Sequence, residues 1–314
     1  MLPLFDEPPL SPLGEKLHAL AAEKIYLGTS SWKYEGWLGE IYSEARYLTR
    51  GRFSRKKFEG ACLEEYAETF PVVCGDFSFY QFPSGDYWRR LFASAPAPLR
   101  FAFKVPEEIT AKIFPAHARY GARAGKANEN FLNAGLLESA FLDALAPHRA
   151  RMAALIFEFG TFSKKSFAGV DDFLSSLDAF LAGLREGWRY SVEIRNPDYL
   201  GPDYFGVLRS RGVAHVFNAW TRMPELDAQI HLDGAFTAGF SVTRALLRHG
   251  RSYEHAVEKF SPYKEIQDPN PPAREAIKDL IRRARAERQE AYIFVNNRLE
   301  GNAPATIRAI AEGV

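Results

Sequence analysis

Short runs of apolar residues alternate along the chain with longer segments that have the period of an amphipathic helix. Each of eight apolar runs is rich in Val, Ile, Phe or Tyr, as in strands that are buried on both faces. The predicted strands are residues 25–30, 72–80, 99–105, 152–159, 189–195, 214–218, 238–246 and 291–296. Helical segments between them include residues 62–70, 130–145, 170–185 and 272–288. Eight such units predict an α/β protein with a single (β/α)8 barrel of the TIM type.

The main alternative is a doubly wound parallel sheet, which usually has a glycine-rich phosphate-binding turn after its first strand. Residues 28–32 read Gly-Thr-Ser-Ser-Trp at this point and lack the three-glycine spacing, so the barrel is favoured. We expect residues 25–314 to form the barrel domain and residues 1–24 an N-terminal extension. The longest predicted loops follow strand one, at about 31–61, and strand three, at about 106–129, and loops of this length are often functional.

Composition narrows the class of protein. The 314 residues carry 40 Lys and Arg against 39 Asp and Glu, which excludes a polybasic protein held on nucleic acid by bulk charge. Two cysteines, Cys62 and Cys74, make neither a disulfide framework nor a zinc quartet. The first residues do not resemble a signal peptide, and no apolar run reaches the roughly 18 residues of a membrane helix. We therefore expect a cytoplasmic protein with no membrane partner.

Charged residues occupy the ends of three predicted strands, where barrels place their functional groups. In strand five, Glu193 and Arg195 share the face opposite Val192 and Ile194, so both should point into the barrel. Glu158 should point inward from the neighbouring strand four. Two close carboxylates can divide into an acid and a base, or hold a divalent cation. The alternative is that each of them forms an ion pair with a neighbouring Arg or Lys.

Other polar and aromatic residues lie near the same strand ends. Lys104 ends strand three and is a candidate anion ligand or nucleophile, unless it only neutralises Glu158 or Glu193. Aromatic side chains there can stack on bases or sugars or serve as packing, and asparagines can orient a ligand or cap a helix. The predicted catalytic residues are Glu193, Glu158 and Lys104. The predicted binding residues are Arg195, Trp32, Tyr34, Trp37, Asp76, Tyr80, Asn218, Asn296 and Asn297.

Phosphate and metal chemistry have weaker signals. The loop after strand one contains six cations and no acid among them, which suits phosphate contact or a solvated surface; they are Arg46, Arg50, Arg52, Arg55, Lys56 and Lys57. The seven histidines lack the spacing of a metal site, and His249 and His255 only flank a short segment after strand seven. No cofactor motif is present, so the cofactor is unknown, a divalent metal has little support and no metal ligand is predicted.

Several of these segments together resemble one family, called domain of unknown function 72 or YecE-like. They are residues 27–32 with Tyr34 and Trp37, residues 79–83, residues 192–197, and residues 294–297 with Gly301 and Ala303-Pro304. The resemblance runs from about residue 25 to 310. It implies a TIM-type barrel in a bacterial or archaeal cytoplasmic protein, and it brings no established reaction. The chain differs from the usual family pattern at residues 74–76, at Gln81 and at residues 158–160.

Three functions follow from this reading. The first is a hydrolase or lyase, or a binder, that acts on a phosphorylated or nucleic-acid-type ligand at the carboxyl face. It is suggested by Lys104 and Arg195 beside stackable aromatics, and by the cationic loop after strand one. The second is glycoside hydrolysis by Glu158 and Glu193. The third is a regulator that binds a small molecule or nucleotide without catalysis. The oligomeric state is left open.

Overall fold

Eight parallel strands close into a barrel in a computed structural model that describes residues 10–314. The strands follow one another around the barrel in chain order, and the last one pairs with the first. They are β1 (Ile25–Ser30), β2 (Val72–Gly75), β3 (Arg100–Lys104), β4 (Met152–Glu158), β5 (Tyr190–Glu193), β6 (Ala214–Ala219), β7 (Phe240–Ala245) and β8 (Glu290–Val295). The predicted single (β/α)8 barrel is confirmed, and the doubly wound alternative is wrong.

Helices cover the outside of the barrel and form most of the connections between its strands. They are α1 (Pro12–Ala22), α2 (Arg55–Thr69), α3 (Gly85–Ala93), α4 (Glu107–Thr110), α5 (Ala134–Leu137), α6 (Asp143–Leu145), α7 (Val170–Ala182), α8 (Pro202–Ser210), α9 (Leu226–Ile230), α10 (Tyr253–Phe260), α11 (Pro271–Glu287) and α12 (Ala303–Ala311). A π-helical turn, Glu138–Leu142, joins α5 to α6. Among residues 10–314, no helix combines the length and the apolar character that crossing a bilayer requires.

The alternation of side chains along each strand separates two apolar layers. Val192 and Phe157 face outward into the main core between the barrel and the helices. Ile156 and Val216 face inward, in the apolar layer that fills the lower barrel. A Cβ atom on Gly28 of β1 would lie 1.8 Å from the carbonyl oxygen of Val72 on β2, so only glycine fits at this position. The same alternation places the last inward residues of the strands above this apolar layer.

Several predicted boundaries are corrected by tertiary contacts. The second strand ends at Gly75 instead of residue 80, and a 3-10 turn over Phe77–Phe79 follows it. The Ser78 hydroxyl donates to the carbonyl oxygen of Lys104, which turns this segment across the end of β3. Helix α2 begins at Arg55, where Ser54 caps it. The predicted helix begins at residue 62, because the polar first turns of α2 carry no apolar stripe. The helix expected over residues 130–145 begins only at Ala134.

Long connections surround the carboxyl end of the barrel. Residues 31–54 follow β1 and contain a two-stranded hairpin, Leu48–Thr49 with Arg52–Phe53. Residues 105–133 follow β3, as expected, and residues 246–270 form a third long connection after β7 that the sequence reading did not single out. Helix α1 packs Leu13, Leu17 and Leu20 into the main core. Residues 1–9 of the expected extension lie outside the described residues, so the domain boundary at residue 24 stays a prediction.

Candidate functional site

Six charged side chains meet inside the carboxyl end of the barrel. We call them the mouth cluster: Asp76, Lys104, Glu158, Glu193, Arg195 and Arg244. Each lies at or near the end of one of the strands β2, β3, β4, β5 and β7. Three carboxylates face three cations, so the cluster is balanced in charge. Every member is paired, as buried charges must be.

Arg244 is the centre of the mouth cluster and is only 2% exposed. Its Nη1 atom lies 2.5 Å from Glu158 Oε2 and 2.5 Å from Glu193 Oε2. Its Nη2 atom lies 3.2 Å from Asp76 Oδ1. Glu158 and Glu193 are register partners on neighbouring strands, so one guanidinium reaches both. The cation between the two carboxylates is therefore an arginine, in line with the ion-pair alternative. Sequence reasoning missed Arg244, although a lone arginine in the apolar run 238–246 was its signal.

Aromatic rings support the other two cations of the mouth cluster. Arg195 Nη2 lies 3.2 Å from Glu158 Oε2 and 2.5 Å from Glu193 Oε1, and the guanidinium lies 3.9 Å from the ring centroid of Trp220. Glu193 Oε1 has this charge contact but no hydrogen-bond partner within residues 10–314. Lys104 Nζ lies 3.3 Å from Glu158 Oε2 and 4.0 Å from the ring centroid of Phe79. Each cation is thus held between a carboxylate and an aromatic ring.

The surroundings fix the charge states of Glu158 and Lys104. Burial alone would raise the pKa of Glu158, but the charges of Lys104, Arg195 and Arg244 outweigh it and hold this pKa well below its ordinary value. Burial would lower the pKa of Lys104, but Asp76 and Glu158 raise it above its ordinary value. At neutral pH, Glu158 is therefore an anion and Lys104 a cation. Neither a neutral, nucleophilic lysine nor a protonated Glu158 is available in this state.

Only part of the mouth cluster reaches solvent. Glu193 is fully buried, whereas the side chains of Asp76 and Glu158 are 30% and 16% exposed. Asp76 and Glu158 therefore form the accessible edge of the cluster.

The three predicted asparagines have different surroundings. Asn218 donates through Nδ2 to the carbonyl oxygens of Ile194 and Val216, while its buried Oδ1 has no partner within residues 10–314. Asn296 Oδ1 accepts from the backbone N–H of Arg298.

The last of the three, Asn297, accepts through Oδ1 from Trp37 Nε1 at 3.2 Å and from the backbone N–H of Ala303 at 2.8 Å. Ala303 begins α12, so this oxygen has a structural role at the start of that helix.

The predicted aromatic residues divide into packing and rim residues. Trp32 and Trp37 are buried, which favours the packing alternative for both. Tyr34 is partly exposed, and its ring packs 4.8 Å from Trp37 and 5.5 Å from Tyr263. Burial of its hydroxyl raises the pKa of Tyr34 to about 12. Tyr80 is 56% exposed and lies at the rim.

The basic loop after β1 and the histidines give little support for a phosphate site or a metal site. Arg46 pairs with Glu68 at 2.8 Å, and Arg55 pairs with Glu59 at 2.9 Å, so acids from helix α2 neutralise part of this loop. His249 Nδ1 contacts a backbone carbonyl oxygen at 2.9 Å. Within residues 10–314, no three His, Cys, Asp or Glu side chains come together as a group that would hold a metal ion.

A cleft of about 220 Å³ opens beside the mouth cluster, between the loops that follow β3 and β4. We call it the side cleft, and its lining includes Phe79, Glu107, Lys112, Arg119, Glu158 and Phe162. Glu158 belongs to both the mouth cluster and the side cleft.

Fold and site together define a (β/α)8-barrel protein with a charged site at its carboxyl face. The profile of the family described as "protein of unknown function DUF72" matches residues 26–314, and the chain belongs to this family. The resemblance noted in the sequence is thereby confirmed.

Two solved structures of DUF72 family proteins share the fold. The protein from Thermotoga maritima MSB8 is 18% identical, with a TM-score of 0.63 over 92% of this chain and 98% of that one. The protein from Enterococcus faecalis V583 is 16% identical, with a TM-score of 0.60 over 92% of this chain and 95% of that one. At these identities the likeness concerns the fold alone. No curated protein matches the chain.

Proposed function

We propose that the protein binds a small phosphorylated molecule at the carboxyl face of the barrel and acts on it as a hydrolase or lyase. One observation carries this proposal: the ionised Glu158 lies among Lys104, Arg195 and Arg244 and is also part of the lining of an open cleft. Barrel enzymes place their chemistry at this end of the strands. Clustered lysine and arginine side chains suit a phosphate group and the negative charge that develops during its reactions.

The ion pairs of Glu158 support a role as a base that ligand binding activates. With three cations around it, Glu158 holds a proton too weakly to accept one efficiently at neutral pH. An anionic ligand that draws Lys104 or Arg195 away removes part of this effect, and the pKa of Glu158 then rises. In the proposal, Glu158 then takes a proton from water as the water oxygen attacks phosphorus, the bond from phosphorus to the ester oxygen breaks, and that oxygen leaves with a proton from solvent. In the lyase version, Glu158 takes a proton from a carbon of the ligand, the bond from the neighbouring carbon to the phosphate oxygen breaks, and phosphate leaves. The cations stabilise the negative charge of the departing group.

Glycoside hydrolysis by Glu158 and Glu193 has less support. That reaction needs one of its two carboxyl groups protonated before the bond breaks. The pKa of Glu158 is lowered, and Glu193 is fully buried against Arg244. Binding of extended nucleic acid also has less support, since Glu68 and Glu59 neutralise two arginines of the basic loop.

A binding and turnover experiment tests the proposal. Thermal shift and calorimetry would compare inorganic phosphate and a panel of sugar phosphates with the same sugars without phosphate, and with single-stranded DNA. We expect inorganic phosphate and the sugar phosphates to raise the melting temperature, and the free sugars and single-stranded DNA to leave it unchanged. Phosphate release would report either reaction, and proton NMR of the organic product would distinguish the alcohol of hydrolysis from the alkene of elimination. Turnover should be lost in Glu158→Gln, whereas the surface variant Glu287→Gln should behave as wild type.

Three results would overturn the proposal. Absence of any stabilisation by the phosphorylated panel would remove the ligand class. Stabilisation without turnover by any compound would remove the hydrolase or lyase activity and support the regulator. Stronger binding of single-stranded DNA than of the sugar phosphates would favour the nucleic-acid ligand instead.

A further inference from the structure

The side cleft contains a lysine that has no ion-pair partner within residues 10–314. Lys112 lines the cleft, on the loop after β3. Its Nζ atom lies 5.1 Å from the ring centroid of Phe131 and 5.4 Å from that of Phe167. The other cation of the lining, Arg119, is bound to Glu107 at 2.8 Å. Lys112 therefore differs from Arg119 and from the mouth cluster, whose cations all face carboxylates.

The two phenylalanine rings position the Lys112 ammonium without neutralising it. A ring attracts a cation through its quadrupole but carries no net charge, so the positive charge stays available to a ligand. Phe131 comes from the segment before α5 and Phe167 from the loop after β4, and their ring centroids are 5.9 Å apart. The ammonium is thus held where these two loops meet, as a binding group ordered before the ligand arrives would be.

The charged residues that line the side cleft include one more cation than their ion pairs use. Glu107 is paired with Arg119, and Glu158 is paired within the balanced mouth cluster. Lys112 supplies the remaining positive charge. Thr161 and Ser166 belong to the same lining, and each carries a hydroxyl group that can donate a hydrogen bond. A lysine of this kind, beside hydroxyl donors, suits an anionic group such as phosphate.

We infer that Lys112 binds the phosphate group of the ligand in the side cleft, and that the rest of the ligand reaches the accessible edge of the mouth cluster at Glu158. This inference rests on the proposed function and assigns the phosphate to a particular place. The cleft of about 220 Å³ is below the roughly 300 Å³ at which pockets for drug-sized molecules begin. The ligand class is therefore a small phosphorylated molecule of about the size of a sugar phosphate, and dinucleotides are too large.

Binding measurements on four variants test the assignment, with inorganic phosphate, ribose 5-phosphate and ribose as probes. Lys112→Met should weaken binding of inorganic phosphate and ribose 5-phosphate at least about tenfold, because a charge-assisted contact is lost. It should leave any binding of ribose unchanged. Lys126→Met removes an exposed cation from the same loop and should bind all probes as wild type does.

A steric variant provides a second readout that does not depend on charge. Gly160 lines the side cleft, and a Cβ atom built on it meets nothing within 4 Å. Gly160→Leu should therefore fold with a melting temperature near that of wild type. Its side chain should fill part of the cleft and weaken binding of ribose 5-phosphate more than binding of inorganic phosphate.

The outcomes separate this inference from the proposed function. If wild type binds none of the phosphorylated compounds, both fail. If Lys104→Met is folded by circular dichroism and loses binding while Lys112→Met and Gly160→Leu bind as wild type, the phosphate lies in the mouth cluster, and only the inference about Lys112 is overturned. Equal losses in Lys112→Met and Lys126→Met would show nonspecific attraction to a charged loop and would also overturn it.

Discussion

Removal of one charge from the mouth cluster should destabilise the fold strongly. Glu193 is fully buried, and its carboxylate lies 2.5 Å from both Arg244 and Arg195. Glu193→Gln keeps the shape of the side chain and leaves three cations facing the two carboxylates of Asp76 and Glu158. Arg244→Met has the opposite effect and leaves three carboxylates facing two cations. The double variant restores the balance of charge.

The size of the effect follows from burial. Breaking a buried ion pair by removing one partner costs about 3–5 kcal/mol, because the other charge stays buried without compensation. An unfolding entropy of about 2.1 cal/mol/K per residue makes 1 kcal/mol worth about 1.5 °C in a chain of 314 residues. Each single variant should therefore lower the melting temperature by about 5–8 °C. The double variant should lose about 2–3 kcal/mol less than the two single losses added together.

Urea unfolding followed by circular dichroism would measure the four proteins of this cycle, with thermal unfolding as a second probe. The control is Glu287→Gln, which removes the exposed helix pair between Arg283 Nε and Glu287 Oε1 at 2.9 Å. This variant should cost less than about 1 kcal/mol. A similarly small cost for Glu193→Gln, or single effects that simply add in the double variant, would refute the description of the mouth cluster as one coupled network.

Three further predictions concern pH and backbone packing. The pKa of Glu158 is lowered in the fold, so its contribution to stability is complete above its ordinary value of 4.5 and is lost as the pH falls below it. Glu158→Gln should flatten the pH dependence of the urea midpoint below pH 4.5, and an unchanged slope there would contradict this. Burial lowers the pKa of His215 from 6.5 to about 3, so the free energy of unfolding should fall by up to about 1.4 kcal/mol per pH unit as the pH drops below 6.5. A His215→Gln variant whose urea midpoint keeps this slope would contradict that prediction. Gly28→Ala should lower the melting temperature severely or prevent folding, since its Cβ would lie 1.8 Å from the carbonyl oxygen of Val72, whereas Gly160→Ala should melt near wild type.

Much of the inward face of the barrel could be read from alternation alone. Glu193 points inward and Val192 outward because successive side chains of a strand lie on opposite faces, whatever the strand pairs with. The same rule placed Glu158 inside, and the pairing of neighbouring strands brought Glu158 beside Glu193. These placements depend on the local geometry of a strand and on strand order, which a periodic sequence carries.

Partners across the barrel and between loops needed the tertiary structure. Arg244 is 86 residues from Glu158 and reaches it because the closed barrel turns the ends of β4 and β7, three strands apart in the sheet, toward each other. The Lys112 ammonium is positioned by the rings of Phe131 and Phe167, which approach it from two other segments of the chain.

Trp37 shows the same limit in another way. It follows β1 as a rim residue would, yet the loop folds back and buries it against Asn297.

Alternation along a strand is set by neighbouring backbone dihedral angles, so the sequence by itself determined the barrel and which strand residues face inward. Barrel closure and loop packing join residues far apart in the chain, so only the tertiary structure decided which charges are paired and which cation of the side cleft has no ion-pair partner within residues 10–314.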